Sequence, residues 1–261
     1  MTTTYAFSNR GPQGRRQLDA LQHYLDPITI DCLAAIAVGA GWRCLELGPG
    51  GGSIAAWLVG RAGPTGRVTT VDSDFSRLPD IAGLEAIEHD LQRGLPVRGP
   101  FDLIHARLVL LHLPNRRELL RELVAALAPG GWLVLGEFSG APLSVLTAAD
   151  PADAALFTRV IDALSTDLVR HGVDFDWARQ AHAAAAAAGL ARVHTVEHTE
   201  SWAGGGGCRL HAANVAHLAD RLIELGVSEP ELARFQELMD DPRFCARSWQ
   251  FVCTRGQRPA R

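Results

Sequence analysis

The sequence predicts an α/β fold: a doubly wound sheet with helices ahead of the first strand and a helical insertion near the C-terminus. Three observations carry that expectation. Short apolar runs alternate with stretches of helical period, a glycine cluster joins the first run to the helix after it, and aspartates stand at the ends of the next two runs.

From Arg15 to Val38, the residues Leu18, Leu21 and Leu25, then Ile28, Leu33 and Ile36, recur at helical spacing. Asp26-Pro27 predicts a break between two helices, because proline removes a backbone donor. Strand candidates follow at Trp42 to Leu47, Arg67 to Val71, Leu84 to Glu88, Phe101 to Ala106 and Trp132 to Phe138. Before the last of these, Asn115 reads as a helix cap with Glu118 at the capping-box position. Leu119, Leu120, Leu123, Val124 and Leu127 form that helix's apolar face, and Pro129-Gly130 its stop. After Phe138 the small residues of Gly140 to Asp150 predict a loop, Pro151 to Arg170 and Phe175 to Leu190 predict helices, and Arg192 to Trp202 and Ser248 to Thr254 two further strands. A helical insertion is expected over Arg209 to Met239, with Gly204 to Gly207 as a flexible loop before it. The expected organisation is an N-terminal helical cap over residues 1–40 and one core over 41–261, with helical lid elements at about 140–190 and 205–245.

All 25 Lys+Arg residues among the 261 are arginines. Without lysine there is no Schiff-base amine and no P-loop lysine, which excludes pyridoxal phosphate enzymes, class I aldolases and Walker-type NTPases. A hydrophobic content of 47% suffices for a full core, and a formal charge of -4 lacks the basic footprint of a nucleic-acid binder, so a small-molecule partner and no nucleic acid are expected. Cys32, Cys44, Cys208, Cys245 and Cys253 form no CxxC pair. They predict neither a disulfide framework nor a metal site, but reduced thiols in a cytoplasmic setting. Met1 to Gly14 is polar, and the most hydrophobic stretch, Leu103 to Leu113, is interrupted by His105, Arg107 and His112, so neither a signal peptide nor a membrane span is expected.

The glycine cluster lies in Cys44-Leu45-Glu46-Leu47-Gly48-Pro49-Gly50-Gly51-Gly52-Ser53, a strand running into the helix Ile54 to Val59. Glycine suits a sharp turn whose backbone approaches a ligand, and a helix N-terminus offers free N–H groups to an anion. Two cofactors compete for such a turn. A dinucleotide site wants G-x-G-x-x-G, but Ser53 stands where the third glycine belongs, and Glu46 would set a negative charge beside the pyrophosphate. An acidic residue there suits a ligand carrying an ammonium and a sulfonium, which describes S-adenosylmethionine.

Glu46-Leu47-Gly48-Pro49-Gly50, with Val71-Asp72 and His89-Asp90-Leu91 downstream, resembles the class I S-adenosylmethionine-dependent methyltransferases. More narrowly, Gly41-Trp42-Arg43-Cys44, Gly63-Pro64-Thr65-Gly66, Phe101-Asp102-Leu103-Ile104-His105-Ala106-Arg107 and Pro129-Gly130-Gly131-Trp132 are similar to bacterial small-molecule methyltransferases, many from actinomycete secondary metabolism. The likeness runs from about residue 15 to 138. It implies a Rossmann-like, seven-stranded sheet whose last strand, Ser248 to Thr254, inserts antiparallel. It also implies roles: the backbone of Gly48, Pro49, Gly50 and Gly52 for the methionyl and ribose part of the cofactor, Glu46 for its amino group, Asp72 for both ribose hydroxyls, Ser73 against the adenosine, Asp90 and the Leu91 amide for the adenine edge, and Ala106 and Arg107 near the methyl. Helix capping by Asp72 and Asp90 is the competing reading. Tyr5 and Arg15 are candidates to close over the cofactor, and a homodimer is the candidate assembly.

Methyl transfer is an in-line displacement at a carbon the sulfonium has already activated, so a protein base is needed only when the nucleophile arrives protonated. The candidates are His112 just after the fourth strand, His23 and Tyr24 in the N-terminal helices that roof the pocket in this family, and Glu137 at the end of the fifth strand. His105 reads as a satisfied, buried strand residue, His194 and His198 as one exposed face, and His171, His182, His211 and His217 as surface residues. Arg116, Arg117 and Arg121 read as a solvated patch, and Phe138, Phe157, Phe175, Trp177 and Trp202 as core. The expected activity is methylation of an O, N or C atom in a small, aromatic or polyketide-like metabolite. Its rivals are a non-methylating enzyme on the same fold, using the sulfonium as a fixed charge in a cyclisation or elimination, and an NAD(P)-dependent oxidoreductase.

Overall fold

A computed structural model of the chain describes residues 11–260; Tyr5 lies outside them. Contacts cluster into two compact units, each assembled from separate stretches of chain. The larger holds Leu25–Ser139, Asp174–His198 and the chain from Phe251 on, and the smaller holds the residues up to Tyr24, Gly140–Val173 and Thr199–Gln250. The division runs through the first helix between Tyr24 and Leu25.

In chain order the strands are β1 (Arg43–Leu47), β2 (Arg67–Asp72), β3 (Leu84–Glu88), β4 (Phe101–Arg107), β5 (Leu127–Phe138), β6 (Val145–Thr147), β7 (Ala191–His198), β8 (Ser201–Ala203), β9 (Cys245–Arg247) and β10 (Phe251–Gln257). The helices are α1 (Gly11–Ala34), α2 (Ser53–Ala62), α3 (Arg116–Ala126), α4 (Pro151–Arg170), α5 (Trp177–Ala187), α6 (Arg209–His217), α7 (Ala219–Glu224) and α8 (Glu229–Asp240).

The larger unit is built on a seven-stranded sheet of order β3-β2-β1-β4-β5-β10-β7. Strands β1 to β5 pair in parallel, and β10 runs antiparallel to both β5 and β7, as the resemblance implies. Leu45 and Leu47 of β1 and Leu103, Ile104 and Ala106 of β4 are fully buried. Strands covered on both faces have no solvent side, which is why they read as mainly apolar runs without a polar face. In β5, Gly136 lets the Phe251 ring of β10 lie directly on the backbone, where a methyl group would overlap it.

Several local expectations give way to tertiary contacts. Asp26-Pro27 does not break α1. Pro27 deprives the helix of one donor, a cost of about 3 kcal/mol in a helix interior, but Leu25, Thr29, Cys32 and Leu33 are buried around it and Asp26 bonds to Ser53 and Arg107. Asn115 makes no side-chain cap on α3; its amide instead donates to the carbonyls of Leu91 at 3.0 Å and Gln92 at 3.3 Å. That helix ends at Ala126, and Pro129-Gly130 lies inside β5, because Leu127 already pairs with Phe101 of β4. Arg192 to Trp202 divides into β7, which pairs with β10, and β8, which pairs with β9.

The smaller unit combines α4 and α6–α8 with a three-stranded antiparallel sheet of order β6-β9-β8. Arg234 of α8 forks onto the Asp153 carboxylate of α4 at 3.0 and 2.9 Å. The core gathers on Phe157, with Phe235 stacked at 5.8 Å and Phe244 at 5.3 Å. Gly204 to Gly207 form a packed turn, not a flexible loop. A side chain at Gly207 would overlap the Trp202 indole and one at Gly204 the Asp241 backbone, while Gly204 and Gly205 donate to the Phe244 and Met239 carbonyls at 3.0 and 2.8 Å. All five cysteines are free, and among the described residues no helix is long and apolar enough to cross a membrane.

His211, expected at the surface, is fully buried edge-on to Phe157 at 5.4 Å and tilted against Trp202 at 5.1 Å. The helical pattern of α6 leaves its buried side ambiguous, and the aromatic cluster decides it. Burial pushes the His211 pKa down to about 4, so the folded state refuses a proton that the unfolded chain binds below its ordinary value of 6.5. This contribution to stability is complete above pH 6.5 and is lost as pH falls toward 4. Between pH 7 and 5 it should cost on the order of 2 kcal/mol of unfolding free energy. Urea titrations at the two pH values should show that His211→Phe flattens the decline by about that amount; an unchanged decline would remove His211 as its source.

Candidate functional site

Parallel pairing puts the carboxyl ends of β1 to β5 on one edge of the sheet, and a crevice is expected where the neighbours of β1, strands β2 and β4, lead away to opposite sides. The chain leaves β1 through Gly48, Gly50 and Gly52 at φ of 63°, 55° and 79°, a left-handed conformation that costs glycine little. At two of these glycines a side chain would also crowd its neighbours. A Cβ on Gly48 would sit 2.5 Å from Val109 Cγ2, and one on Gly52 would sit 2.8 Å from Leu78 Cδ1. The Gly52 amide donates to the Pro49 carbonyl at 2.8 Å and closes the turn, and α2 then starts at Ser53 with the amides of its first turn lacking intrahelical partners.

Glu46, one residue before the end of β1, is 3% exposed. Its Oε1 lies 3.5 Å from Nδ1 of the equally buried His105, its register partner on β4, and its Oε2 has no hydrogen-bond partner among the described residues. His105 is buried as expected but not satisfied, since its Nδ1 also lacks a hydrogen bond. A buried carboxylate with an unmet oxygen is costly until a cation or donor completes it.

Asp72 closes β2, and its Oδ1 accepts the Asp74 amide at 3.2 Å; no helix follows it, so it is not a helix cap. Burial holds its pKa above the usual carboxylate value, and Ser73 beside it is exposed. Asp90 does cap: its Oδ1 accepts the Gln92 amide at 2.9 Å, over the short 3-10 turn Leu91–Arg93. Leu91 and Ala106 are buried, and Ala106 pairs with Leu47 across the sheet. Arg107 is committed to α1. Its Nη1 donates to Asp26 Oδ1 at 2.7 Å and to Thr29 Oγ1 at 3.2 Å, while Ser53 Oγ donates to the same Asp26 oxygen at 3.0 Å. Asp26 thus ties the first helix to both β4 and α2, a role hidden in a dipeptide that reads as a helix stop.

After Arg107 the chain enters a turn that carries His112. Leu108 adopts φ 54°, a left-handed conformation that is strained for a side-chain-bearing residue, and its amide donates to the Gly136 carbonyl at 2.8 Å. Glu137 is 1% exposed, and its Oε1 accepts the Leu110 amide at 3.0 Å. Burial pushes its pKa well above the ordinary carboxylate value, against the Leu110 and Leu111 amides that pull it down. Arg116 is not solvated: its Nε donates to the Leu110 carbonyl at 3.1 Å and its guanidinium pairs with Asp174. Arg117 bonds to Gln180 and lies 5.7 Å from the Trp177 ring centre, and Arg121 pairs with Glu118 at 3.1 Å. Burial, then the nearby Arg116, lowers the His112 pKa to about 4, so at neutral pH the ring is uncharged and a weak base.

His23 and Tyr24 belong to the smaller unit. His23 is exposed, as is Arg15. Tyr24 donates to the Gly206 carbonyl, lies tilted against Trp202 at 4.8 Å, and has its phenol pKa raised by burial. With Arg16, Arg209 and Gln236 the two residues line a cavity of about 490 Å³. Phe138, Phe157, Trp177 and Trp202 are buried core residues.

A family profile described as "Methyltransferase domain" matches residues 20–195. Methyltransferase str3 of Strobilurus tenacellus is 30% identical over 139 residues, covering 52% of this chain and 49% of the relative. The chain spans about half the length of the curated relatives it matches. Among solved structures, the [4+2]-cyclase SpnF superposes with a TM-score of 0.55 at 18% identity, covering 92% of this chain and 84% of that one. Phosphoethanolamine N-methyltransferase 2 of Haemonchus contortus, in complex with S-adenosyl-L-methionine, superposes with a TM-score of 0.51 at 13% identity, covering 94% and 52%. These two share the fold.

The residues present fit a ligand of that kind: Glu46 offers an unmet carboxyl oxygen beside the glycine turn, and Asp72 a desolvated carboxyl at the end of the next strand. Gly48→Ala should destabilise the protein by about 2–4 kcal/mol, combining left-handed strain with overlap against Val109. In a Val109→Ala background the cost should shrink, since the space is then vacant and only the strain remains. Thermal unfolding of the four proteins measures the coupling, and strict additivity would mean that the two side chains do not compete.

Proposed function

The chain belongs to the class I S-adenosylmethionine-dependent methyltransferase family, and on that premise we propose that it methylates an oxygen, nitrogen or carbon atom of a small, aromatic or polyketide-like metabolite. The observation that carries the reading is the buried, half-unmet Glu46 carboxylate beside a left-handed glycine turn, within the stretch the family profile matches. S-adenosylmethionine supplies a methyl group made electrophilic by its sulfonium, on a molecule that also carries an ammonium.

In this reading Glu46 takes the ammonium, the backbone of Gly48, Pro49, Gly50 and Gly52 cradles the methionyl part, and Asp72 accepts the two ribose hydroxyls, the bidentate task a carboxylate does well. Ser73, Asp90 and the Leu91 amide serve the adenosine, and Ala106 and Arg107 border the methyl. The acceptor needs alignment more than acid–base help, because effective molarities for well-held pairs reach on the order of 10^5 M or more. Burial raises the Glu137 pKa well above the ordinary carboxylate value and lowers that of His112 to about 4, so His112 is a weak base at neutral pH.

Calorimetry with S-adenosylhomocysteine tests the cofactor site. Asp72→Ala should weaken binding by at least about tenfold, the worth of one charge-assisted hydrogen bond or more; unchanged affinity would overturn the assignment. Mass spectrometry of products from candidate acceptors tests the reaction. Gain of a methyl group with release of S-adenosylhomocysteine is expected, whereas product formation without that gain would favour the non-methylating alternative, a chemistry the name of the cyclase SpnF records for this fold.

A further inference from the structure

We propose that Glu137 is a positioning residue: its carboxyl, with Arg116 opposite, holds the turn Leu108 to His112 against the glycine turn after β1. The inference rests on the proposed function only where cofactor affinity is the readout.

The turn's donors and acceptors are taken up by β5 and α3. On the donor side, the Leu108 amide goes to the Gly136 carbonyl at 2.8 Å and the Leu110 amide to Glu137 Oε1 at 3.0 Å, both at the end of β5. On the acceptor side, Arg116 of α3 reaches the Leu110 carbonyl through Nε at 3.1 Å and the Leu111 carbonyl through Nη2 at 3.4 Å, while Asp174 anchors its guanidinium. Between these holds sits Val109, whose methyl occupies the space a side chain on Gly48 would need. A shift of the turn therefore moves the wall of the glycine turn. Leu108, left-handed at φ 54°, opposes the arrangement, and such strain persists only where surrounding contacts over-determine it. The carboxyl is 1% exposed, its Oε1 is engaged by the Leu110 amide and its Oε2 is buried without a hydrogen-bond partner among the described residues, so the bond it makes is to the turn. Its work is done through the backbone it holds.

Glutamine keeps the carbonyl oxygen that accepts the Leu110 amide, and alanine removes it, so the pair separates positioning from base catalysis. Hydrogen–deuterium exchange of the full chain should show residues 108–113 exchanging roughly tenfold faster in Glu137→Ala, the loss of about one buried hydrogen bond, and unchanged within about twofold in Glu137→Gln. The S-adenosylhomocysteine dissociation constant, measured well below the unfolding temperature, should rise at least about fivefold in Glu137→Ala and stay near wild type in Glu137→Gln. Preserved protection of 108–113 in Glu137→Ala overturns the proposal. So does a Glu137→Gln variant as impaired as Glu137→Ala, which would mean that the charge itself is used, and so does a Glu137→Ala variant that unfolds at lower temperature with unchanged affinity. If Glu137→Ala does not fold, Arg116→Ala must loosen the same segment, and protection there overturns the proposal. If the wild-type protein does not bind S-adenosylhomocysteine, the proposed function fails while the exchange arm still decides the clamp.

Discussion

Parallel strands cannot be joined by a tight hairpin. Each must return through a crossover, and the consequence in this chain is that β1 to β5 all deliver their carboxyl ends to one edge of the sheet. The chemistry-bearing residues of the larger unit follow from that constraint. The glycine turn leaves β1, Asp72 closes β2, Asp90 follows β3, Arg107 closes β4 and Glu137 stands one residue from the end of β5. The same central strands are sealed on both faces, so each polar group at their ends has to be met by the protein itself or by a ligand.

The chain meets most of those groups itself. Asp90 caps the turn behind it, Arg107 turns to Asp26, and Glu137 accepts a backbone amide of the turn that carries His112. Gly48 and Gly52, which a ligand-centred view would explain by close approach of a cofactor, already have left-handed backbones, and a side chain on either would press on Val109 or Leu78. Glu46 and Glu137 each keep one buried oxygen without a hydrogen-bond partner among the described residues, and it is the place of Glu46 beside the glycine turn that matches the family's positively charged cofactor.

In the smaller unit a different balance holds. Its core is an aromatic cluster with an uncharged histidine inside it, joined by arginine–carboxylate forks such as Arg234 on Asp153. Excluding a proton from His211 makes that core sensitive to acid, a property no reading of α6 as a surface helix predicts.

What the sequence determined by itself was the strand–helix alternation, the glycine turn and the acidic residues at strand ends. These are local consequences of burial and backbone conformation: an apolar run sealed on both faces, a left-handed turn that suits glycine, an aspartate where a strand stops. Tertiary structure alone decided what each polar side chain meets. Arg116 finds Asp174 58 positions away, Arg107 finds Asp26 81 positions back, and α1 continues through Pro27 because that distant ion pair and its buried face hold it. His211 and Asn115 depart from expectation for the same reason. Their partners come from other elements, and the energy of burying or bonding a side chain depends on neighbours that no local window of sequence contains.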